Sequence, residues 1–586
     1  MMKHFLIHFY EGLFTHMEAW HPEAFEKMKS KHEELQILRD TRKRKRAGDR
    51  TRQLTLISNN NNQLSVENKM DPKLQARWDD AVVKFISETG VSFQCCEKLD
   101  ILLDAVWNGR MRLKVRSRRT VTKHVGARSL CLMADVYNIL NVMAKECGGF
   151  GFTTDLWTSR ALDSFMAFTC HFINKEMELQ KFVPFVEYFG VNRHTGRNIK
   201  LFINQFLAAL GMDGNDISKT IVCDNASNNK VMIRLSGDLQ VSYCNIHTMQ
   251  LAIIDVFKLD ILNIKVDEVM LKCKELAKFV KRSEQNKNEL KAACVRTGTK
   301  FIMPKLPNAT RWNSKEANVS TTIKLKSALQ HISHADTSLH WYDVIPNAAE
   351  FKLLESLVDI LARIKIACKV WEADKNPTIQ TVIPELYNIK DVLKRKIGSR
   401  ERYVSVFARE LLKLMEQRFP DSGTRNKVNC VAHLLDPEYR GVILRQFGAF
   451  DTALEEVKRM GAKYENVEDI PSPPAQVARH DLVVGNENLS AAQKLKIMEE
   501  AALENVRVNT ETNDRYTDTE IELGKFLKMK IPSGSNLLLF YKEHENFLPI
   551  LTKVAREIFA IPASSATSER VFSVGSLVRF DFKTSK

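Results

Sequence analysis

No run of about 18 consecutive apolar residues occurs anywhere in this chain, so a membrane-spanning helix of ordinary length is not expected. None of the 11 cysteines stands in a CxxC pair, which argues against a disulfide framework and a self-contained four-cysteine zinc site and fits a reducing compartment. The adjacent Cys95 and Cys96 in VSFQCCEKL read as buried small hydrophobes, as free cysteines commonly are. A secretory signal is also missing: the opening MMKHFLIHFYEGLF is apolar but interrupted by His8 and Glu11, with no small-residue cleavage site. These absences predict an intracellular protein. What remains is ordinary globular composition, 44% hydrophobic and 27% charged over 586 residues, long enough for several domains.

Charge is unevenly spread. Of the net +16, residues 39–52 carry +6 and residues 110–128, which lack any acidic residue, carry +8. Concentrated positive charge suits phosphate backbones, where counterion release supplies affinity without sequence preference. The run Arg42, Lys43, Arg44, Lys45, Arg46 precedes the polar ISNNNNQLS and reads as a nuclear-import signal on a linker, or else as a solvated basic turn. Arg110, Arg112, Lys114 and Arg116 alternate with Met111, Leu113 and Val115, which places the charges on one face of an extended segment that could grip DNA.

Three stretches far apart each carry an acidic residue: TTDLWTS with Asp155, IVCDNASNN with Asp224, and SSATSERVFS with Glu569. The first two read as short apolar strands that deliver a carboxylate at or just past their ends. Carboxylates on neighbouring strand ends can share two Mg2+ ions roughly 3.5–4 Å apart, poised for attack on a phosphodiester. Mg2+ takes hard oxygen ligands in near-octahedral geometry, so a third carboxylate is needed, and Glu569 is the candidate. Singly, each has a plainer reading, as a turn or cap residue for the aspartates and a helix-dipole partner for the glutamate.

Around the core, FGFTTDLWTS, SFMAFTCHFI and KFVPFVEYFGV are three β-rich runs consistent with an antiparallel meander. HTGRNIKLFINQFLAALG then has helical periodicity ending at a glycine, and the strand of Asp224 follows. Residues 76–145 and most of 315–515 read as helices, with an exposed loop over 467–490 around PSPP. Cys244 and His247 form a CxxH pair entering a helix, open to a zinc reading. Arg311 and Trp312 in NATRWNS offer a guanidinium for phosphate and an indole for stacking on an unpaired base, or simply a core tryptophan.

In chain order, TTDLWTSRALDSFMAFTCHFI, HTGRNI, IVCDNASNN, YCNIHTMQLAI, NATRWNS and FAIPASSATSERVFS resemble the transposases of the hobo-Activator (hAT) superfamily, in its BED zinc-finger branch, over residues 76–578. The resemblance implies an α/β fold: a ribonuclease H-like core interrupted by a large all-α insertion, with an N-terminal helical DNA-binding region. It places Asp155, Asp224 and Glu569 at the catalytic, Mg2+- or Mn2+-binding positions, and Cys244, His247, Arg311 and Trp312 in DNA handling. LFTHMEAWHPEAF resembles the second half of a BED finger, with His16 and His21 as vestigial ligands. The upstream Cys pair is missing, so a zinc site is not expected, although His4 and His8 could in principle substitute.

On this reading residues 1–35 are a partial BED-finger-like remnant, 36–75 a basic, Asn-rich linker, and 76–146 the helical basic DNA-binding region. The first part of the core spans 147–314, the helical insertion 315–515, and the dimerisation region with the last part of the core 516–586. Tyr541 stands where the family more usually has Trp, and the chain stops at RFDFKTSK where the family continues through a further packing helix. The expectation is a nuclear, DNA-binding hAT transposase-like protein, forming a homodimer or higher homo-oligomer without membrane association. The alternatives are a domesticated, non-catalytic DNA-binding or regulatory factor, and a decayed or incomplete gene product.

Overall fold

Two glycines that the sequence sets one residue apart, Gly149 and Gly151, open the first strand of a five-stranded sheet. The computed structural model describes residues 72–89, 93–99, 113–158, 164–189, 194–212, 218–235, 240–259, 266, 268–307, 312–335, 339–465, 517–532 and 534–575. His16, His21, Arg42, Lys43, Arg44, Lys45, Arg46, Arg110, Arg112, Arg311 and the 467–490 loop lie outside them.

The chain divides into two units, residues 1–78 with 103–114, and residues 79–102 with 115–586. Within the first, Gln75 Nε2 donates to the Lys114 carbonyl (3.0 Å) and the Lys114 N–H donates to Gln75 Oε1 (2.8 Å). Within the second, Arg116 grips Asp79 with two nitrogens, at 2.8 Å for Nη2 and 3.0 Å for Nε to the same oxygen. Bidentate pairing of this kind fixes a guanidinium, so Arg116 is committed to its own domain while Lys114 is exposed. Extended backbone gives way at Ser117, whose hydroxyl caps helix α2 (Arg118–Glu146) by accepting from Thr120 N–H. Helix α1 (Pro72–Thr89) precedes it. Cys96 is buried as expected, but Cys95 is exposed, because the pair sits on a short 3-10 turn that can bury only one of two adjacent side chains.

The strands are β1 (Gly149–Thr158), β2 (Ser164–Ile173), β3 (Leu179–Tyr188), β4 (Ser218–Cys223) and β5 (Gln240–Tyr243), in spatial order β3-β2-β1-β4-β5. β1, β2 and β3 pair antiparallel, and β4 and β5 add parallel to β1. Between β3 and β4 lies the amphipathic helix α3 (Gly196–Ala209), capped by Thr195 and closed by Gly211 at φ +63°. This is the β-β-β-α-β order read from the sequence. Helices α4 (Ser227–Leu235) and α5 (Asn245–Phe257) follow β4 and β5. From Asn245 to Tyr464 every described element is helical, including α6 (Ala348–Trp371) and α7 (Lys427–Leu435), and α8 (Pro549–Phe559) and α9 (Ala566–Gly575) close the described chain.

Strand alternation sorts the sheet into two faces. Phe150 and Phe152 of β1 join Phe168 and Phe172 of β2, Ile221 of β4, Leu140 of α2 and Ile199, Ile203 and Phe206 of α3 in one core. The opposite face meets α8 and the long helical segment, whose core runs continuously from Ile173 and Val222 to Ala563. Here the glycines act. A Cβ on Gly151 would stand 2.4 Å from the Ala560 carbonyl oxygen and 2.8 Å from Ile561 Cα, and one on Gly149 2.8 Å from Glu557 Cβ. The end of α8 therefore rests directly on the β1 backbone. Gly151→Ala is expected to destabilise the protein by about 1–3 kcal/mol through overpacking, read as a lower midpoint in chemical denaturation. Gly126→Ala, in open space on α2, should show no such loss.

Candidate active site

Asp155 is the seventh residue of β1, opposite Ala167 of β2. It was expected at a strand end; instead the strand runs on to Thr158 because its antiparallel partner does, whereas parallel pairing with β4 stops at Thr153 and Val222. Two residues beyond that last parallel pair are Asp155 on one strand and Asp224 just past the other. With a side-chain period of two and parallel strands about 4.8 Å apart, the two carboxylates stand side by side on the α8 face of the sheet.

Each aspartate is held by one oxygen. Asp155 Oδ1 accepts from its neighbour Leu156 N–H at 2.9 Å. Asp224 Oδ1 accepts from Ala226 N–H (2.9 Å) and from Nδ2 of the buried Asn229 (2.6 Å), which locks it over the start of α4. Glu569 lies exposed in the first turn of α9. Helix α9 packs on β1 and β2, and Phe572, one turn after Glu569, stacks on Trp157 at 5.3 Å between ring centroids. Trp157 shares the face of Asp155, two residues away, and its ring also meets Phe165 of β2. The stack thus sets the glutamate helix beside the aspartates.

The three charges feel one another. Burial first, and then repulsion from Asp224 and from Glu569, push the Asp155 carboxyl up to about 7, against a smaller opposing effect of the Leu156 N–H. Among the described residues none of the three forms a salt bridge. Beside Asp224, the amide oxygen of Asn225 is buried without a hydrogen-bond partner. Hard, unpaired oxygens of this sort fit Mg2+ or Mn2+ in donor chemistry. They do not amount to a closed cage: among the described residues no group of three His, Cys, Asp or Glu side chains is gathered to hold a metal ion.

Cys244 and His247 belong to the same neighbourhood. Cys244 caps α5, its Sγ accepting from His247 N–H and from Ser565 N–H, each at 3.4 Å, and its own N–H donates to the Cys223 carbonyl (2.8 Å). Burial pushes its thiol up, so the sulfur serves as a neutral cap that ties the end of β5 to the approach of α9. Trp312 opens the helix Trp312–Lys324. Sequence reading overlooked Asn229, Trp157 and Phe572. The signals were present, as the asparagine repeat after Asp224, a strand period of two from Asp155 and one helical turn from Glu569.

A carboxyl raised from 3.8 to about 7 keeps its proton in the folded protein over a range in which the unfolded chain releases it. The stability this group contributes is complete below about pH 4 and is lost as pH rises through about 7. In a chelator-containing buffer near pH 8, Asp155→Asn is therefore expected to stabilise the protein, by up to about 4 kcal/mol. The gain should shrink steadily towards pH 4 in a series of urea titrations.

Comparison with known proteins agrees with this architecture. Residues 153–250 match the ZBED1 RNase-like domain and residues 518–585 the hAT family C-terminal dimerisation region. Over 505 residues the chain is 23% identical to the Zea mays protein named "Putative AC transposase", covering 80% of this chain and 58% of that protein. It is 20% identical to zinc finger BED domain-containing protein RICESLEEPER 2 of Oryza sativa subsp. japonica, covering 76% of this chain and 64% of that one. For DAYSLEEPER of Arabidopsis thaliana the identity is 22%, with 77% and 64% covered. The chain thus spans about three fifths of the length of these relatives. Sheet and matches agree, and together the matches support a transposase-like protein of the hAT and BED-finger type.

Proposed function

We propose that this chain is a nuclear, DNA-binding transposase-like protein that dimerises through residues 518–585 and carries a metal-dependent site for phosphodiester hydrolysis and strand transfer. The observation that supports the reading is that Asp155 and Asp224 share one face of the sheet and that Asp224 and Glu569 both act on the Asp155 carboxyl, with no salt bridge to any of the three among the described residues. Asp155, Asp224 and Glu569 would hold Mg2+ or Mn2+, which when bound supplies activation of the attacking oxygen and stabilisation of the departing one.

The chain's own groups account for the rest. Leu156 N–H and Asn229 Nδ2 fix one oxygen of each aspartate and leave the other available to a ligand. The Trp157–Phe572 stack sets the helix of the third carboxylate against β1. The exposed Arg118, Arg119, Lys123 and Arg128 of α2 supply a basic surface for the phosphate backbone.

A second reading has one observation in its favour. Because the three carboxylates do not form a closed cage, a domesticated, non-catalytic DNA-binding or regulatory factor would need nothing more than the dimerisation region and the basic helix. Cleavage of a labelled duplex carrying the element's own ends, with Mg2+ or Mn2+, separates the two. The catalytic reading expects metal-dependent nicking that falls by at least about a thousandfold in Asp155→Asn. Binding of the duplex without nicking by either protein would establish the regulatory reading.

A further inference from the structure

The helix that carries Glu569 is short and lies at the end of the described chain, yet the approach to it is tied by side chains to one loop of the helical segment. That loop, residues 372–378, links α6 to the turn before the next helix. The Ala563 N–H donates to Thr378 Oγ1 (2.9 Å), and Ser564 Oγ donates to the Trp371 carbonyl at the end of α6 (2.9 Å). Inside α9, Thr567 Oγ1 donates to Asp374 Oδ1 (3.3 Å). Arg570, next to Glu569, donates through Nη1 to the Glu372 carbonyl (3.0 Å) and pairs through Nη2 with Asp374. Lys181 of β3 closes the set with its own ion pair to Asp374 (3.1 Å).

One carboxylate therefore joins three separate parts of the fold: the outer strand of the sheet, the glutamate helix and the helical segment. Asp374 itself stays about a third exposed and bonds to Thr567 and Arg570, so its action on the site is through α9. Arg570 follows Glu569 directly in sequence, and its bonds to Asp374 and the Glu372 carbonyl turn its guanidinium towards the loop.

We infer that Asp374 is a positioning residue for the active site: with Lys181, Thr567 and Arg570 it clamps α9 so that Glu569 faces Asp155 and Asp224 with its charge unpaired. The clamp is a property of the fold; what it serves rests on the metal-dependent reading above.

The test uses the full chain as wild type, Asp374→Ala and Asp374→Glu, with Mn2+ as the probe. Hydrogen exchange of the peptides covering 563–575 should quicken in Asp374→Ala, return towards wild type in Asp374→Glu, and leave β1 and β4 unchanged. Mn2+ binding followed by electron paramagnetic resonance should weaken by about tenfold in Asp374→Ala, with recovery in Asp374→Glu and an unchanged thermal midpoint. Unchanged exchange in 563–575 for Asp374→Ala overturns the clamp, whatever Mn2+ does. Quickened exchange with unaltered Mn2+ binding overturns the positioning role. If wild type itself binds no Mn2+, the metal-dependent reading fails, and the exchange data alone decide whether Asp374 holds α9.

Discussion

Everything on the active face depends on how closely the chain after α8 can lie on the first strand. Sheets and helices normally pack through a layer of side chains. Here the Ala560 carbonyl and the Ile561 backbone come down to the β1 backbone itself, which only a residue without a Cβ at Gly151 allows, and Gly149 makes the same room for Glu557. That seat orients the next dozen residues: Ala563 receives both the backbone and the side-chain N–H groups of Asn245, Ser565 reaches Cys244, and α9 begins where Glu569 can look across at the aspartates. A steric condition on two glycines thus fixes where a charge is placed.

Electrostatics and packing are arranged in opposition. The apolar core, the Trp157–Phe572 stack and the Cys244 cap all draw the three carboxylates together, while the carboxylates repel one another and raise Asp155. Packing wins because it is spread over many contacts, whereas the repulsion acts at one point. Sites that hold cations are commonly built this way, with the unfavourable charge tolerated by the scaffold and relieved by the ligand.

Much of the sheet could be read directly. Three β-rich runs, a helix closed at Gly211 and a fourth strand ending in Asp224 need only alternation, periodicity and a glycine stop, all of which are local. Asp155 and Asp224 follow from those strands, and their adjacency becomes visible once β1 and β4 are paired in parallel. Glu569 is different. No spacing connects it to the aspartates, and its candidacy came from motif resemblance. The Asp374 loop gave no signal at all, since EADKN is an unremarkable polar turn until the fold brings Lys181 and Arg570 to it. The strand end at Asp155 was misjudged for a related reason: β1 has two partners of different lengths, and the longer one sets where it stops.

The contacts that complete the site join residues extremely far apart in the chain: Asn245 to Ala563 across 318 residues, Arg556 to Ile173 across 383 and to Cys147 across 409. Closing such loops is slow and yields nothing until both ends are present. During synthesis the aspartates and their sheet emerge first, followed by a long helical segment that can fold behind them, and the glutamate only after it. With 345 positions between Asp224 and Glu569 (569 minus 224), the sheet and the helical segment can both be in place before the third carboxylate exists. The order of the chain thus makes the glutamate the piece that docks onto a scaffold already built.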